Sequence, residues 1–258
     1  MIDLFIDMGN SRIKLAILED DAYEYIGAYP YKSILNDGGL VEVLSTVDIV
    51  PDQVYVSSVS CNAAEHQLRE AVLSLWSIFP IFLNTQINCC GLENGYDDPL
   101  KLGVDRWMAL VGSHTITRKP YIVIDAGTAI TLDAVHDNRH VGGFIVPGVT
   151  TMRQSLIDNT AKLSIDCNGV ESVDRGDTVT NILPRNTQSA ICAGTLYMAA
   201  SFVDSVIFDL QHEFGCLFKV YVTGGDGKQL VRLINADCEY IEDLVLLGMV
   251  NVIESVKK

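Results

Sequence analysis

The feature that most constrains this chain is an Asp-x-Gly tripeptide that follows a short apolar strand in each half of the sequence. The first, Asp7-Met8-Gly9, comes after the apolar residues 4–6, and the second, Asp125-Ala126-Gly127, comes after residues 121–124. A second run of strand-forming residues follows each tripeptide, so each one predicts a β-hairpin with a glycine in its turn. Repetition of this unit within one chain predicts a duplicated architecture.

The remaining pattern of each half predicts strands that alternate with helices. Leu68, Val72 and Leu75 recur at helical spacing and predict a helix over residues 62–76. Further strands are predicted over residues 23–29, 54–59, 130–135, 141–146 and 218–222, and further helices over residues 187–210, 227–234 and 243–256. We therefore predict an α/β protein of two domains, residues 1–117 and 118–258.

The charge balance argues against a nucleic-acid partner. The chain has 33 acidic residues against 18 Lys and Arg residues, a formal net charge of −15. Binding to nucleic acid usually requires a cationic surface that displaces counterions. The same negative charge would repel a nucleotide, so a phosphate site must build its own local field from lysine, arginine, backbone N–H groups and metal.

Several observations lead us to expect a cytoplasmic protein without a membrane partner. No uninterrupted apolar run approaches the roughly 20 residues of a membrane span, and two acidic residues occupy the N-terminus where a signal peptide would be basic. The seven cysteines include no C-x-x-C pair, which favours reduced thiols. His136 and His140 flank a predicted hairpin turn, and we expect them on the surface rather than at a metal.

The first Asp-x-Gly turn contains the groups that a phosphate site needs. Gly9 has no Cβ, so backbone N–H groups can approach phosphate oxygens closely. Asn10 and Ser11 offer neutral donors, Lys14 offers a cation, and Asp7 can hold a metal-bound water. An ordinary hairpin with a surface lysine would have the same sequence. The second Asp-x-Gly turn favours the functional interpretation, because two such hairpins could hold a polyphosphate from both sides.

A third element, Gly103-Val104-Asp105-Arg106, stands in front of an apolar helical stretch that ends near residue 116. Asp105 can accept a proton from a substrate hydroxyl, and Arg106 can neutralise an anion. An acid that merely stabilises the start of a helix, next to a surface arginine, is the structural alternative. Two glycine-rich stretches, residues 142–148 and 223–225, are weaker signals for an anion at a helix start and for a flat ligand on the backbone.

Together these motifs resemble the type III pantothenate kinases of the actin-like kinase superfamily. The motifs are D-x-G-N-[ST]-x-x-K at 7–14, Y-x-x-P at 96–99, G-x-D-R at 103–106, D-x-G-T at 125–128, G-G-x-I-x-P-G at 142–148, T-x-x-A-I at 187–191 and T-G-G at 223–225. The resemblance implies an α/β fold of duplicated ribonuclease-H-like (actin-like ATPase) domains with a nucleotide cleft between them. It implies that ATP phosphorylates pantothenate to 4'-phosphopantothenate, the first step of coenzyme A biosynthesis.

The resemblance also implies roles for individual residues, together with magnesium bound to ATP and a homodimer. The residues of the ATP phosphate loop would be Asp7, Met8, Gly9, Asn10, Ser11, Arg12, Ile13 and Lys14, with Thr128 on the opposite side of the nucleotide. Asp105 would be the general base. The pantothenate-binding residues would be Tyr96, Gly103, Val104, Asp105, Arg106 and Thr187. Asp125 would help to hold a monovalent cation, potassium or ammonium.

Two other functions remain open at this stage. One is a kinase or phosphatase of the same superfamily that acts on a sugar, acetate or polyphosphate. The other is an ATP-sensing regulatory protein, since some relatives of the family have been described as transcriptional activators. The net charge of −15 and the presence of both Asp105 and Lys14 argue against the regulatory alternative. Ser11 stands where threonine is common in the family, and it keeps the hydroxyl group.

Overall fold

The structure, a computed structural model, describes residues 1–30, 39–160 and 183–257. Its strands are β1 (Ile2–Met8), β2 (Arg12–Glu19), β3 (Ala22–Pro30), β4 (Gln53–Ser58), β5 (Ile81–Phe82), β6 (Asn88–Cys89), β7 (Leu92–Glu93), β8 (Tyr121–Ala126), β9 (Ala129–His136), β10 (Arg139–Pro147), β11 (Lys219–Thr223) and β12 (Cys238–Tyr240). Its helices are α1 (Gly39–Ser45), α2 (Asn62–Trp76), α3 (Val104–Ile116), α4 (Val149–Asp158), α5 (Thr187–Phe214), α6 (Gly227–Val231) and α7 (Leu244–Lys257), and a 3₁₀ turn spans Pro99–Lys101.

These elements form two compact units. Unit 1 consists of Met1–Arg118, Asn138–Val141 and Asp243–Lys258, and unit 2 consists of Lys119–Asp137 and Gly142–Glu242. The predicted second domain runs from residue 118 to residue 258, whereas the structure assigns helix α7 to unit 1. The physical reason is the close packing of α7 against α3.

The sheet of unit 1 has the strand order β3-β2-β1-β4-β5. Strand β1 pairs antiparallel with β2 and parallel with β4. Residues 3–8 of this strand are all buried, as expected of a strand that is covered on both faces, and this explains the apolar run over residues 4–6. The core of the unit contains the apolar residues Leu4, Ile6, Met8, Ile13, Leu15, Leu44, Val54, Val56, Leu68 and Val72.

Unit 2 repeats the same strand order. Its strands lie in the order β12-β11-β8-β9-β10, with β8 antiparallel to β9 and parallel to β11. If the strands are numbered from 1 within each unit, and the second sheet is read from β10 to β12, both sheets have the strand order 3-2-1-4-5. This shared order confirms the duplication that the two Asp-x-Gly hairpins predict.

Helix α5 begins at residue 187, as predicted, and ends at residue 214, four residues beyond the predicted end. It has 28 residues, and one 18-residue window has a mean hydropathy of 1.6, so by length and composition alone it could cross a membrane. Polar residues interrupt this helix, so the expectation that no uninterrupted apolar run approaches 20 residues is not contradicted. One face of the helix is buried in the core of unit 2, through Leu196, Ala200, Val203 and Ile207. A core helix of a folded unit accounts for this composition.

The cysteines depart in one place from the predicted reduced state. Five of them are free thiols, namely Cys61, Cys89, Cys90, Cys216 and Cys238. Cys192, at the start of α5, is disulfide-bonded.

Helices α3 and α7 approach so closely that their backbones touch through two glycines. A Cβ on Gly112 would lie 2.6 Å from the carbonyl oxygen of Leu244. A Cβ on Gly248 would collide with the carbonyl oxygen of Met108. Neither position has room for a methyl group, so the two glycines fix the distance between the helices.

We expect Gly248→Ala to destabilise the protein by about 1–3 kcal/mol or more, because an added methyl group in a packed interior forces the backbone apart. Urea unfolding followed by circular dichroism measures this change. The matched control is Gly194→Ala in α5, where a Cβ meets nothing within 4 Å. There alanine is the better helix former, so stability should stay equal or rise by about 0.5–1 kcal/mol. Equal losses in both variants would contradict the role of the helix contact.

Candidate functional site

The turn between β1 and β2 presents the predicted phosphate loop to solvent. The Gly9 N–H donates to the carbonyl oxygen of Arg12 at 3.0 Å, which closes the hairpin. Asn10, Ser11 and Arg12 are exposed, and Lys14 is half-buried next to the turn. Four polar or cationic side chains thus lie in and beside this turn, within reach of an anion.

Two members of the predicted loop have a different role. Met8 and Ile13 are both fully buried in the core of unit 1 and stand opposite each other in the hairpin. Their side chains anchor the loop, so any contact they make to a nucleotide must come from the backbone. The loop is also held by Ser60, whose hydroxyl donates to the Gly9 carbonyl oxygen at 3.2 Å. No sequence pattern had pointed to Ser60.

Asp105 occupies the first turn of α3, where a carboxylate is favoured by the helix dipole. One carboxylate oxygen, Oδ1, accepts from the backbone N–H of Arg106 at 2.7 Å. Gly103 caps the helix, and a Cβ there would lie 2.7 Å from the same carboxylate oxygen. The glycine of the G-x-D-R motif therefore leaves the space that the Asp105 carboxylate uses.

Arg106 and Tyr96, which the sequence analysis assigned to the same substrate, are in direct contact. The Arg106 side chain is only 7% exposed, and its Nη1 donates to the Tyr96 hydroxyl at 2.7 Å. The Tyr96 backbone N–H donates to Oδ1 of Asn94 at 3.1 Å. Asn94 Nδ2 in turn donates to the carbonyl oxygens of Gln86 and Pro99. These bonds tie the loop that carries Tyr96 into one rigid element.

His140 completes this group, and the prediction that it lies on the surface was wrong. It is fully buried, and its ring stacks on Tyr96 with the ring centroids 5.6 Å apart and the planes at 22°. The backbone of His140 can lie this close to residue 95 only because residue 95 is glycine. A Cβ on Gly95 would collide with the His140 carbonyl oxygen. His136 is partly covered as well, with its ring 4.7 Å from that of Phe214.

The turn between β8 and β9 has the same form as the turn in unit 1. The Gly127 N–H donates to the Ala129 carbonyl oxygen at 3.0 Å, and Thr128 is exposed at the tip. The Thr128 carbonyl oxygen accepts from the Gly148 N–H at 3.0 Å and from the Thr151 hydroxyl at 2.5 Å. A Cβ on Gly148 would collide with the Gly127 carbonyl oxygen. The start of α4 therefore rests directly on the turn.

Asp125 lies beside a second oxygen donor. Gly224 has a φ of +91°, and a Cβ there would collide with both the Asp125 Oδ1 atom and the Ala126 carbonyl oxygen. Carboxylate and carbonyl oxygens are ligands of hard cations, so this pair fits the monovalent cation that the resemblance implies. Among the described residues, no group of three or more His, Cys, Asp or Glu side chains is placed to hold a metal ion.

Comparison with known proteins identifies the family. The family model described as type III pantothenate kinase matches residues 3–209. A protein of Hydrogenovibrio crunogenus that bears this name is 40% identical over 252 residues, which cover 98% of this chain and 99% of the relative. This chain belongs to the type III pantothenate kinases.

Solved structures confirm the fold of this family member. The activator of 2-hydroxyisocaproyl-CoA dehydratase from Clostridium difficile, with bound ADPNP, is similar with a TM-score of 0.57 and 14% identity over 100% of this chain and 95% of that one. MreB 5 of Spiroplasma citri, bound to AMPPNP, gives a TM-score of 0.52 and 10% identity over 99% and 97%. At such identities the likeness shows the fold alone, and it confirms the predicted duplicated, actin-like architecture.

The predicted pantothenate residues of this kinase do not all lie in one unit. Tyr96, Gly103 and Arg106 belong to unit 1, whereas Thr187 belongs to unit 2. Thr187 is the exposed first residue of α5, directly after Asn186, whose side chain accepts from the Ser189 N–H at 2.8 Å.

A half-buried arginine that the sequence analysis missed lies near the start of the same helix. Arg153 of α4 donates from Nε to the Thr195 hydroxyl at 3.0 Å and from Nη2 to the Cys192 carbonyl oxygen at 2.8 Å. Burial lowers the pKa of Arg153, an effect that the nearby Asp226 partly offsets. An arginine nevertheless stays charged at neutral pH. The kinase therefore locks α4, which starts at the β8–β9 turn, to α5, which starts at Thr187.

Proposed function

We propose that this kinase transfers the γ-phosphoryl group of MgATP to pantothenate and yields 4'-phosphopantothenate, the first step of coenzyme A biosynthesis. The observation that carries the proposal is the Asp105–Arg106 pair at the start of α3, with the Arg106 guanidinium bonded to Tyr96. Membership in the family and the name of the Hydrogenovibrio crunogenus relative support the substrate.

Asp105 acts as the general base in this proposal. A carboxylate with an ordinary pKa of about 3.9 cannot remove the proton of an alcohol before the reaction begins. In the loose transition state of phosphoryl transfer the proton leaves late, so the carboxylate orients the hydroxyl and then accepts its proton. The helix start holds the carboxylate in place through the Arg106 N–H.

The β1–β2 turn binds the phosphates of ATP in this proposal. Its backbone N–H groups, Asn10, Ser11, Arg12 and Lys14 supply donors and positive charge, and Asp7 would help to hold the magnesium ion that enters with the nucleotide. Thr128 makes a further contact to ATP. Charge neutralisation supplies most of the rate, because phosphoryl transfer leaves little covalent work for the protein.

Arg106 binds the carboxylate of pantothenate in this proposal. The Arg106 guanidinium donates from Nη1 to the Tyr96 hydroxyl at 2.7 Å. That hydrogen bond fixes the plane of the guanidinium group. A fixed plane is required for two parallel hydrogen bonds to a carboxylate. Gly103, Val104 and Thr187 complete the pantothenate site.

We further propose that Asp125 and the Ala126 carbonyl oxygen help to bind potassium or ammonium, and that the enzyme is a cytoplasmic homodimer. The homodimer is supported by exposed apolar residues of unit 2, where Phe144 is 53% and Met198 55% exposed. Phe144 contacts Phe202 of α5 edge-to-face at 5.9 Å, so strand β10 and helix α5 contribute to one apolar surface. Apolar surfaces of this kind mark interaction sites.

The first test is phosphate transfer from ATP to pantothenate by the purified protein, with magnesium and either potassium or sodium alone. We expect 4'-phosphopantothenate in potassium and much less product in sodium, because the cation site requires a weakly hydrated ion. Mass spectrometry of the product and ADP release measure the reaction. A folded protein that binds ATP but gives no product would favour another substrate of the superfamily or the regulatory alternative. Equal product in both salts would contradict the proposed cation site but not the proposed kinase reaction.

Asp105→Asn should lower kcat by about 10²–10⁴-fold, the usual loss when a general base is removed. The ATP affinity should stay the same, since the phosphate loop is unchanged. The matched control is Asp21→Asn, in an exposed turn where the residue has a φ of 72° that asparagine also tolerates. Near-normal turnover in Asp105→Asn would remove Asp105 from this role.

Tyr96→Phe should raise the KM for pantothenate by about 10–100-fold, because a hydrogen bond to a charged group contributes about 1.5–3 kcal/mol. The KM for ATP should not change. Steady-state kinetics with each substrate varied in turn separate the two constants. Tyr29→Phe serves as control, since among the described residues the Tyr29 hydroxyl bonds only to Thr46, at 3.2 Å. Parallel changes in both KM values would mean that Tyr96 supports the general structure rather than the pantothenate site.

A further inference from the structure

The hairpin between β6 and β7 places two thiols side by side. Cys89 and Cys90 are adjacent in the chain, and their Sγ atoms are 3.4 Å apart. Asn88 pairs with Glu93 and Cys89 with Leu92, so Cys90 and Gly91 form a two-residue turn. Both turn residues have positive φ, 53° for Cys90 and 83° for Gly91, as a type I′ turn requires.

A cysteine is an unfavourable residue in this turn. Positions with positive φ favour glycine, asparagine and aspartate, and other residues adopt this conformation at a cost. A residue held in such a conformation suggests a role when a second observation agrees. Here the second observation is the contact between the two sulfur atoms, which a turn residue such as asparagine would not provide.

Two helices of unit 1 hold this turn in place. On α7, Cys90 Sγ lies 3.5 Å from the Asn251 carbonyl oxygen and Cys89 Sγ lies 3.8 Å from the Ser255 hydroxyl. Arg118, just after α3, donates to the Cys90 carbonyl oxygen at 3.1 Å. Cys89 is buried and Cys90 is half-buried, whereas Gly91 and Ser255 are exposed. The pair is therefore reached from solvent at the edge between the turn and α7.

A disulfide between these two residues is disfavoured by geometry. Adjacent Cα atoms are about 3.8 Å apart across a trans peptide, whereas disulfides usually join Cα atoms at least about 4.4 Å apart. Burial, followed by the neighbouring Cys90, raises the pKa of the Cys89 thiol to about 11, so it is protonated at neutral pH. The fold thus maintains a pair of neighbouring thiols.

A structural zinc ion does not match the surroundings of the pair. Such an ion takes four ligands, and in the described parts of the chain no three His, Cys, Asp or Glu side chains come together as a metal site. The ligand that fits is one whose central atom binds sulfur strongly and needs only two sulfur ligands from the protein. Two bonds of about 2.3 Å to one centre, the length of a zinc–thiolate bond, leave the sulfurs about 3–4 Å apart. The Sγ–Sγ distance of 3.4 Å lies in that range.

We propose that Cys89 and Cys90 form a binding site for thiophilic groups that bond to two sulfurs at once, with monosubstituted trivalent arsenicals as the matching class. In the binding step two S–H bonds break and two As–S bonds form. The oxygen of the arsenical R–As=O leaves with both protons as water. Arsenic and sulfur keep their oxidation states, so the step needs no oxidant or reductant.

Phenylarsine oxide is the probe that tests this site. The full-length protein is reduced, freed of reductant and titrated in native buffer, and intact mass spectrometry counts the arsenicals bound to each chain. We expect Cys90→Ser to bind one fewer than the unchanged protein, and Cys238→Ser to bind the same number. Bound arsenical should leave on addition of 2,3-dimercaptopropanol but stay in the presence of 2-mercaptoethanol, because only a dithiol competes with two As–S bonds.

A second variant and a structural control keep the test decisive. Cys89→Ala should lose the same single arsenical, and circular dichroism should show that both variants fold. Equal binding by Cys90→Ser and the unchanged protein would overturn the proposal, as would labelling of the pair only in the presence of urea. The site contains none of the residues proposed for phosphoryl transfer, so its failure would leave the proposed kinase function untouched.

Discussion

The backbone contact between α3 and α7 is the constraint on which the functional part of unit 1 depends. Gly112 and Gly248 allow the two helices to touch, and the first turn of α3 carries Asp105 and Arg106. Helix α7 is in turn fixed to the sheet, because Lys257 donates to the buried carboxylate of Asp3 at 2.6 Å. That hydrogen bond raises the pKa of Lys257. The last helix of the chain therefore positions the proposed general base, although it is far from that residue in sequence.

In the proposed function each unit presents a hairpin turn to an anion, in a protein whose net charge is −15. In unit 1 the turn exposes Asn10, Ser11 and Arg12, and the buried residues Met8 and Ile13 hold the strands beneath it. The repulsion of the whole protein acts over long distances and is screened by salt. Donors in a fixed turn act at contact distance, where they are worth more. This arrangement explains how an acidic protein can bind a polyphosphate without a broadly cationic surface.

Local patterns predicted the elements well, and long-range contacts explain what they missed. The helix predicted over residues 62–76 is α2, because its apolar spacing fixes the face that is buried. The assignment of α7 to unit 1 could not be predicted, since it depends on Gly248 meeting the backbone of a helix about 140 positions earlier. The burial of His140 likewise depends on the space left by Gly95. Neither contact leaves a periodic trace in the sequence.

The contacts around Tyr96 show how this enzyme can keep a charged pair in place. An aromatic ring, His140, stacks on one side of it, and the amide of Asn94 fixes its backbone. Neither the His140 ring nor the Asn94 amide is a carboxylate. Together they position the Tyr96 hydroxyl, and that hydroxyl orients the Arg106 guanidinium. Phosphoryl transfer depends on positioning and preorganised charge, and a displacement of about 1 Å can cost about 10²-fold in rate. A rigid shell of rings and amides next to the Asp105–Arg106 pair meets that requirement, because it fixes geometry without adding an opposing charge of its own.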